Sequence, residues 1–181
     1  SEMTDSRVTR AAALIRNVPD FPKPGIQFKD ITPILADVEA FRGVMDVLAE
    51  QAPDDIDLVC GVESRGFLFG APLALLLGVP FAPIRKPGKL PSTVVEEHFD
   101  LEYGSSMLAM HTDAVKPGQR VLLADDLLAT GGTLIASLKL IERLGASVAQ
   151  VQVVIEMSDL DGRENLAAFG VHDLYAMIRT S

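Results

Sequence analysis

The chain has no tryptophan, one cysteine and three histidines, and it lacks any apolar run of bilayer-spanning length. Each shortage excludes something. A lone Cys60 rules out an intrachain disulfide and suits a reducing compartment. Inside Asp57-Leu58-Val59-Cys60-Gly61 it reads as a small buried hydrophobe, not a reactive thiol. His98, His111 and His172 are scattered without metal-site spacing and read as surface or packing groups. Without about 18 consecutive apolar residues no transmembrane helix is expected. The N-terminal residues also lack the apolar stretch of a secretory signal, so the expected location is the cytoplasm. Positive charge is scarce too: 16 Lys and Arg against 25 Asp and Glu give a net charge of −9. A protein that tracks a nucleic-acid backbone carries a basic face, so nucleic acid is not an expected partner.

What is present is a chain of 181 residues, 48% hydrophobic and 23% charged, the length and balance of one globular domain. Residues 7–17 are rich in helix formers and predict a first helix ending near Pro19. The Pro- and Phe-rich stretch that follows predicts ordered loop, because a plain linker has no use for Phe21 and Phe28. Asp37 can cap a second helix, in which Val38, Phe41, Val44, Met45 and Leu48 recur at helical spacing. Strand and helix patterns then alternate. Short buried strands are expected at 57–61, 79–84, 121–125 and 147–155. An apolar helix follows the first of them, kinked at Pro72 or starting later than its apolar run. Between the last two, Leu134, Ile135, Leu138, Ile141 and Leu144 form a stripe of period near 3.6, closed by Gly145. Such alternation predicts an α/β fold: an open, mainly parallel sheet flanked by helices on both faces. Residues 93–113 break the rhythm with polar, β-prone sequence and predict a hairpin lid turning at Glu102-Tyr103-Gly104.

The chemistry gathers around Val121-Leu122-Leu123-Ala124-Asp125-Asp126-Leu127-Leu128-Ala129-Thr130-Gly131-Gly132-Thr133. In open α/β sheets ligands bind beyond the carboxyl ends of the strands. Asp125 and Asp126 are expected at such an end, with a helix starting just after Gly132. The turn between them would aim backbone N–H groups and a positive helix terminus at a phosphate. Gly131 and Gly132 permit close backbone approach, and Thr130 and Thr133 add hydroxyls. There is no Gly-Lys-Ser/Thr, so this is not a Walker loop. Carboxylates beside a phosphate make sense as acceptors for the hydroxyls of a ribose, and the pair of features describes a ribose 5-phosphate site. Arg65, Arg85, Lys86 and Lys89 gather within a short span, as for a small polyanionic ligand in an acidic protein.

An acidic pair followed by Ala-Thr-Gly-Gly-Thr resembles the phosphoribosyl pyrophosphate signature of type I phosphoribosyltransferases. The segments FPKPGIQFKDITPIL, ESRGFLFGAPLA, IRKPGKLP and LEYG are similar, in that order, to those of the family's adenine branch, over roughly residues 17–166. The resemblance implies a single domain with the type I fold, a small N-terminal hood at about 17–36 and a flexible hairpin at about 93–113. It implies a purine-salvage reaction: adenine and phosphoribosyl pyrophosphate give AMP and pyrophosphate, with Mg²⁺ carried on the pyrophosphate and not in a protein metal site. It also implies a homodimer. By the same resemblance Asp125 and Asp126 hold the ribose diol, and Ala129, Thr130, Gly131, Gly132 and Thr133 hold the 5-phosphate. Glu63, Ser64 and Arg65 form a pyrophosphate loop with a cis peptide at its first two residues; many relatives carry Asp where this chain has Glu63. Arg85, Lys86, Lys89 and Tyr103 serve the leaving group, Arg85 from across the dimer interface. Glu102 is the acid/base on the imidazole edge of the base. Ile26, Gln27, Phe28, Lys29 and Met157 are base-binding candidates. The competing expectations are a phosphoribosyltransferase for hypoxanthine, guanine or xanthine, and a non-catalytic phosphoribosyl pyrophosphate sensor. A dinucleotide-binding domain is disfavoured, because no G-x-G-x-x-G follows a strand.

Overall fold

The computed structural model describes residues 5–100 and 104–181. The chain divides after Glu50 into two compact units.

The first unit holds α1 (Ser6–Leu14), β1 (Arg16–Pro19), β2 (Gln27–Asp30), α2 (Thr32–Leu35) and most of α3 (Val38–Gln51). Asp5 caps α1 by accepting the Arg7 N–H at 2.9 Å, and the Arg7 guanidinium reaches on to Glu50. The helix stops at Leu14, short of the expected residue 17, because Ile15 is already extended and Arg16–Pro19 pairs antiparallel with Gln27–Asp30. The Pro-rich stretch is therefore the turn of a two-stranded ribbon. Asp20 sits at φ 56 with its carboxylate accepting the Gly25 N–H at 2.8 Å, the Phe21–Pro22 peptide is cis, and Phe21 packs edge-on against Phe28. Asp37 caps α3 as its sequence suggests, through the Ala40 N–H at 3.1 Å. The buried stripe is Ala40, Val44, Met45, Val47 and Leu48, while Val38, expected on it, is 69% exposed.

The second unit contains β3 (Leu58–Val62), α4 (Arg65–Leu77), β4 (Phe81–Ile84), β5 (Val94–Asp100), β6 (Ser105–His111), β7 (Arg120–Leu128), α5 (Gly132–Arg143), β8 (Ser147–Met157), α6 (Gly162–Ala168) and β9 (Leu174–Thr180). Its five-stranded sheet, ordered β4-β3-β7-β8-β9, is parallel at every pairing. β3 is buried along its whole length, as a strand covered on both faces must be. Strand alternation sends Leu58, Cys60 and Val62 into one core cluster with Val121, Leu123, Leu134, Leu138 and Ile141, so α5 covers that face. On the other face Gly61 meets Gly70 of α4, and Ala124 packs nearby. A Cβ on Gly61 or Gly70 would stand 2.8 or 2.9 Å from the Phe81 ring, so glycine lets helix and sheet close over that ring. α4 runs through Pro72 and ends at Gly78 with φ 70.

Three differences from the sequence expectations matter for the site. β7 continues three residues past Asp125, paired with β8 as far as Leu128↔Glu156, so the acidic pair lies within a strand. A fifth strand, β9, lies beside β8. The β5–β6 hairpin is anchored at its base: Leu108, Ala109 and Met110 are buried, and Ala109 exchanges two backbone hydrogen bonds with Arg85.

Candidate active site

Four chain segments, one of them Lys86 just past the end of β4, bring polar groups to one cavity. Leaving β3, the chain passes through a cis peptide between Glu63 and Ser64 and enters α4 at Arg65. Leaving β7, it turns through Ala129, Thr130 and Gly131 and enters α5 at Gly132. Gly131 has φ 93 at the N-cap of α5, a conformation that favours glycine. The third segment is the end of β5, Phe99 and Asp100. Between them lies a cavity of 430 Å³. Glu63, Ser64, Arg65 and Lys86 line it together with residues 125–134.

The two aspartates differ. Asp126 is buried, and its carboxylate accepts the Arg65 Nε–H at 2.5 Å, an ion pair across the cavity floor. Asp125 keeps partial exposure; its Oδ1 accepts the Asp126 backbone N–H at 2.8 Å and lies against Gly66, where a Cβ would stand 3.1 Å away. Desolvation, and after it the charge of Asp126, push the Asp125 carboxyl well above the usual carboxylate range, and Arg65 offsets part of this. Glu63 is engaged by its neighbours: its Oε1 accepts from Arg85 Nε at 3.1 Å and from the Lys86 backbone N–H at 2.8 Å.

Of the residues singled out in the sequence, Glu63, Ser64, Arg65, Lys86, Asp125, Asp126 and Ala129 to Thr133 meet at this cavity. Arg85 is held by Glu63, with its guanidinium 5.8 Å from the centre of the Phe67 ring, and it does not line the cavity; neither do Lys89 and Met157. Met157 ends β8, opposite Thr180 of β9. Ile26, Gln27, Phe28 and Lys29 belong to the first unit, at and just before β2, where Lys29 Nζ donates to Asn17 Oδ1 at 2.6 Å. Glu102 and Tyr103 lie outside the described residues. Sequence reading missed Phe99 and Asp100, whose place depends on the hairpin register, and Leu127 and Leu128, which a strand ending at Asp125 would have left out. Among the described residues, no three His, Cys, Asp or Glu side chains are grouped to hold a metal ion. Nor is any helix among them long and apolar enough to cross a membrane.

A parallel open sheet with an acidic pair, a glycine turn opening a helix, and a cis-peptide turn facing them across one cavity defines the type I phosphoribosyltransferase class. The phosphoribosyl transferase domain family matches residues 28–168. Adenine phosphoribosyltransferase 1 of Triticum aestivum is 54% identical over 164 residues, spanning 90% of this chain and 91% of its own. The adenine phosphoribosyltransferase of Cutibacterium acnes is 51% identical over 92% of this chain and 94% of its own. The crystal structure of the Thermoanaerobacter pseudethanolicus adenine phosphoribosyltransferase superposes with a TM-score of 0.92 at 49% identity, covering 96% of this chain and 99% of that one. This chain belongs to the adenine phosphoribosyltransferase family.

Proposed function

We infer that this enzyme transfers the 5-phosphoribosyl group of phosphoribosyl pyrophosphate to adenine, giving AMP and pyrophosphate. The observation that carries the inference is the cavity. Its lining offers a glycine turn at a helix N-terminus, a carboxylate pair, Arg65 and Lys86, in a chain 54% identical over 164 residues to a wheat adenine phosphoribosyltransferase.

The residue roles follow from the charges of the reaction. Substitution at the anomeric carbon builds positive charge on the sugar and negative charge on the departing pyrophosphate. Arg65 and Lys86 face that departing charge; the turn Ala129 to Thr133 takes the 5-phosphate; Asp125 and Asp126 accept the ribose hydroxyls. A hydroxyl arriving at Asp125 restores hydrogen bonding that desolvation removed, which favours the ionised carboxylate. Mg²⁺ belongs with the phosphoribosyl pyrophosphate substrate. When bound through the substrate's own oxygens it would neutralise the leaving group. Glu102 is two residues beyond the cavity-lining Asp100, a position that supports the acid/base role at the base. The hood residues Ile26, Gln27, Phe28 and Lys29, with Met157, are the proposed contacts to adenine.

A homodimer is proposed as well. α4 leaves Leu75 84% exposed and Leu76 54% exposed, an apolar surface that a second copy would cover. Arg85 pairs with Glu63 without lining its own cavity, and its role across the interface is carried by the family resemblance.

The test of the reaction is a panel of purine bases with phosphoribosyl pyrophosphate and Mg²⁺, following pyrophosphate release. Turnover with adenine, abolished by chelator and restored by Mg²⁺, is expected. Turnover only with 6-oxopurines would move the substrate to hypoxanthine, guanine or xanthine, and binding without turnover would make the chain a sensor.

A further inference from the structure

The glycine turn does not hold its shape alone. Only three residues join β7 to α5, and on their far side lies the first turn of α6, a segment that sequence motifs leave without a role. Gly162 packs directly on the Ala129 carbonyl oxygen; a Cβ there would collide with that oxygen and stand 2.6 and 2.8 Å from the Leu128 side chain. Approached from the other direction, a Cβ on Gly131 would meet the Gly162 carbonyl at 3.3 Å. One turn further on, Asn165 Nδ2 donates to the Thr130 carbonyl at 2.8 Å. Two successive carbonyls of the turn, those of Ala129 and Thr130, thus face α6.

A trans peptide is planar, with its N–H directed opposite to its C=O. Fixing the carbonyls of Ala129 and Thr130 toward α6 therefore aims the N–H groups of Thr130 and Gly131 away from it, on the side where both residues line the cavity. α6 is in turn tied to the sheet. Arg163 pairs with the buried Glu156 at 2.7 Å, and Arg179 of β9 reaches the same carboxylate at 3.2 Å. We propose that the first turn of α6 is a brace that orients the phosphate-binding amides, and that Asn165 is a positioning residue for the 5-phosphate of the substrate. The proposal rests on assigning residues 129–133 to the 5-phosphate.

The test separates positioning from mere packing with two small probes, ribose 5-phosphate and inorganic pyrophosphate, titrated calorimetrically into the purified enzyme. Asn165→Ala removes one neutral hydrogen bond and is expected to weaken ribose 5-phosphate by about 3- to 10-fold. It should raise KM for phosphoribosyl pyrophosphate by a like factor while leaving pyrophosphate affinity and KM for adenine at wild-type values. Asn165→Asp, which sets a carboxylate against the carbonyl, is expected to weaken ribose 5-phosphate at least as much. Gly162→Ala should do more, but it can fail by misfolding, so the Asn165 pair decides. Thr133→Ala serves as a control on the underlying assignment. If Thr133→Ala weakens ribose 5-phosphate and Asn165→Ala does not, the brace is wrong and the 5-phosphate site stands. If neither variant weakens it, the site assignment falls and takes the brace with it. Equal loss of both probes in Asn165→Ala would reduce α6 to general packing and overturn the proposal.

Discussion

Adjacent carboxylates on a cavity wall repel one another, and partial burial makes ionisation of Asp125 harder still. The consequence for stability has a definite sign. A carboxyl whose folded pKa is raised binds more protons folded than unfolded, so stability is lost as pH climbs from the ordinary carboxylate range toward the folded value. Asp125→Asn is neutral throughout. It should therefore melt higher than wild type at pH 7, with the gap narrowing as pH falls through about 4 and closing near pH 3, where Asp is largely protonated in both states. It should also bind phosphoribosyl pyrophosphate more weakly. Thermal melts across that range check the first part, and a variant melting below wild type at pH 7 would contradict it. The neighbouring Asp126 pairs with Arg65 Nε at 2.5 Å. At the proposed acid/base position, Glu102→Ala should lower kcat by about 10²-fold or more, the usual scale for general acid–base catalysis. Near wild-type turnover would remove Glu102 from the mechanism. The residue types at the site were legible because adjacent aspartates and a Gly-Gly turn are costly without a ligand. The Arg65–Asp126 pair was not, since 61 residues separate the partners and only the fold brings them together.

Where α4 meets β3, Phe81 of β4 is wedged beside both Gly61 and Gly70. Gly70→Ala puts a methyl 2.9 Å from that ring and should cost about 1–3 kcal/mol in urea unfolding, as overpacked cores do. Adding Phe81→Leu should recover part of the loss, because the two sites share one contact. If the double variant is no more stable than the sum of the single changes predicts, the ring is not what Gly70 accommodates. Hydrophobic period revealed β3, α5 and β8 because their stripes are long or fully apolar. It passed over β9, whose Leu-Tyr-Ala-Met-Ile-Arg-Thr is too short for periodicity to distinguish strand from helix. The seven-residue α6 escaped for the same reason. The end of β7 was misplaced because charge at Asp125 and Asp126 reads as surface, although the strand ladder continues beneath it to Leu128.

For the whole molecule, the exposed leucines of α4 give the proposed dimer a test. Wild type is expected to elute with the mass of two chains in size exclusion with light scattering. Leu75→Glu should shift the distribution toward one chain and lower activity in parallel if Arg85 serves the neighbouring site. A wild-type monomer with full activity would end both ideas. The order of motifs along the chain made the class legible from sequence, whereas the exposure of Leu75 and Leu76 was not, because an exposed leucine and a buried one look alike until the helix is placed. The fold's sole thiol offers a last practical consequence. Cys60 sits in the middle of β3, fully buried, and burial pushes its pKa up far enough to leave it protonated at any working pH. The folded protein is thus a blank background for thiol-directed labels. A cysteine introduced at Asp100, where β5 reaches the cavity, would be the only one a maleimide dye could find, and its fluorescence would report the hairpin's response to substrate without further removal of native cysteines.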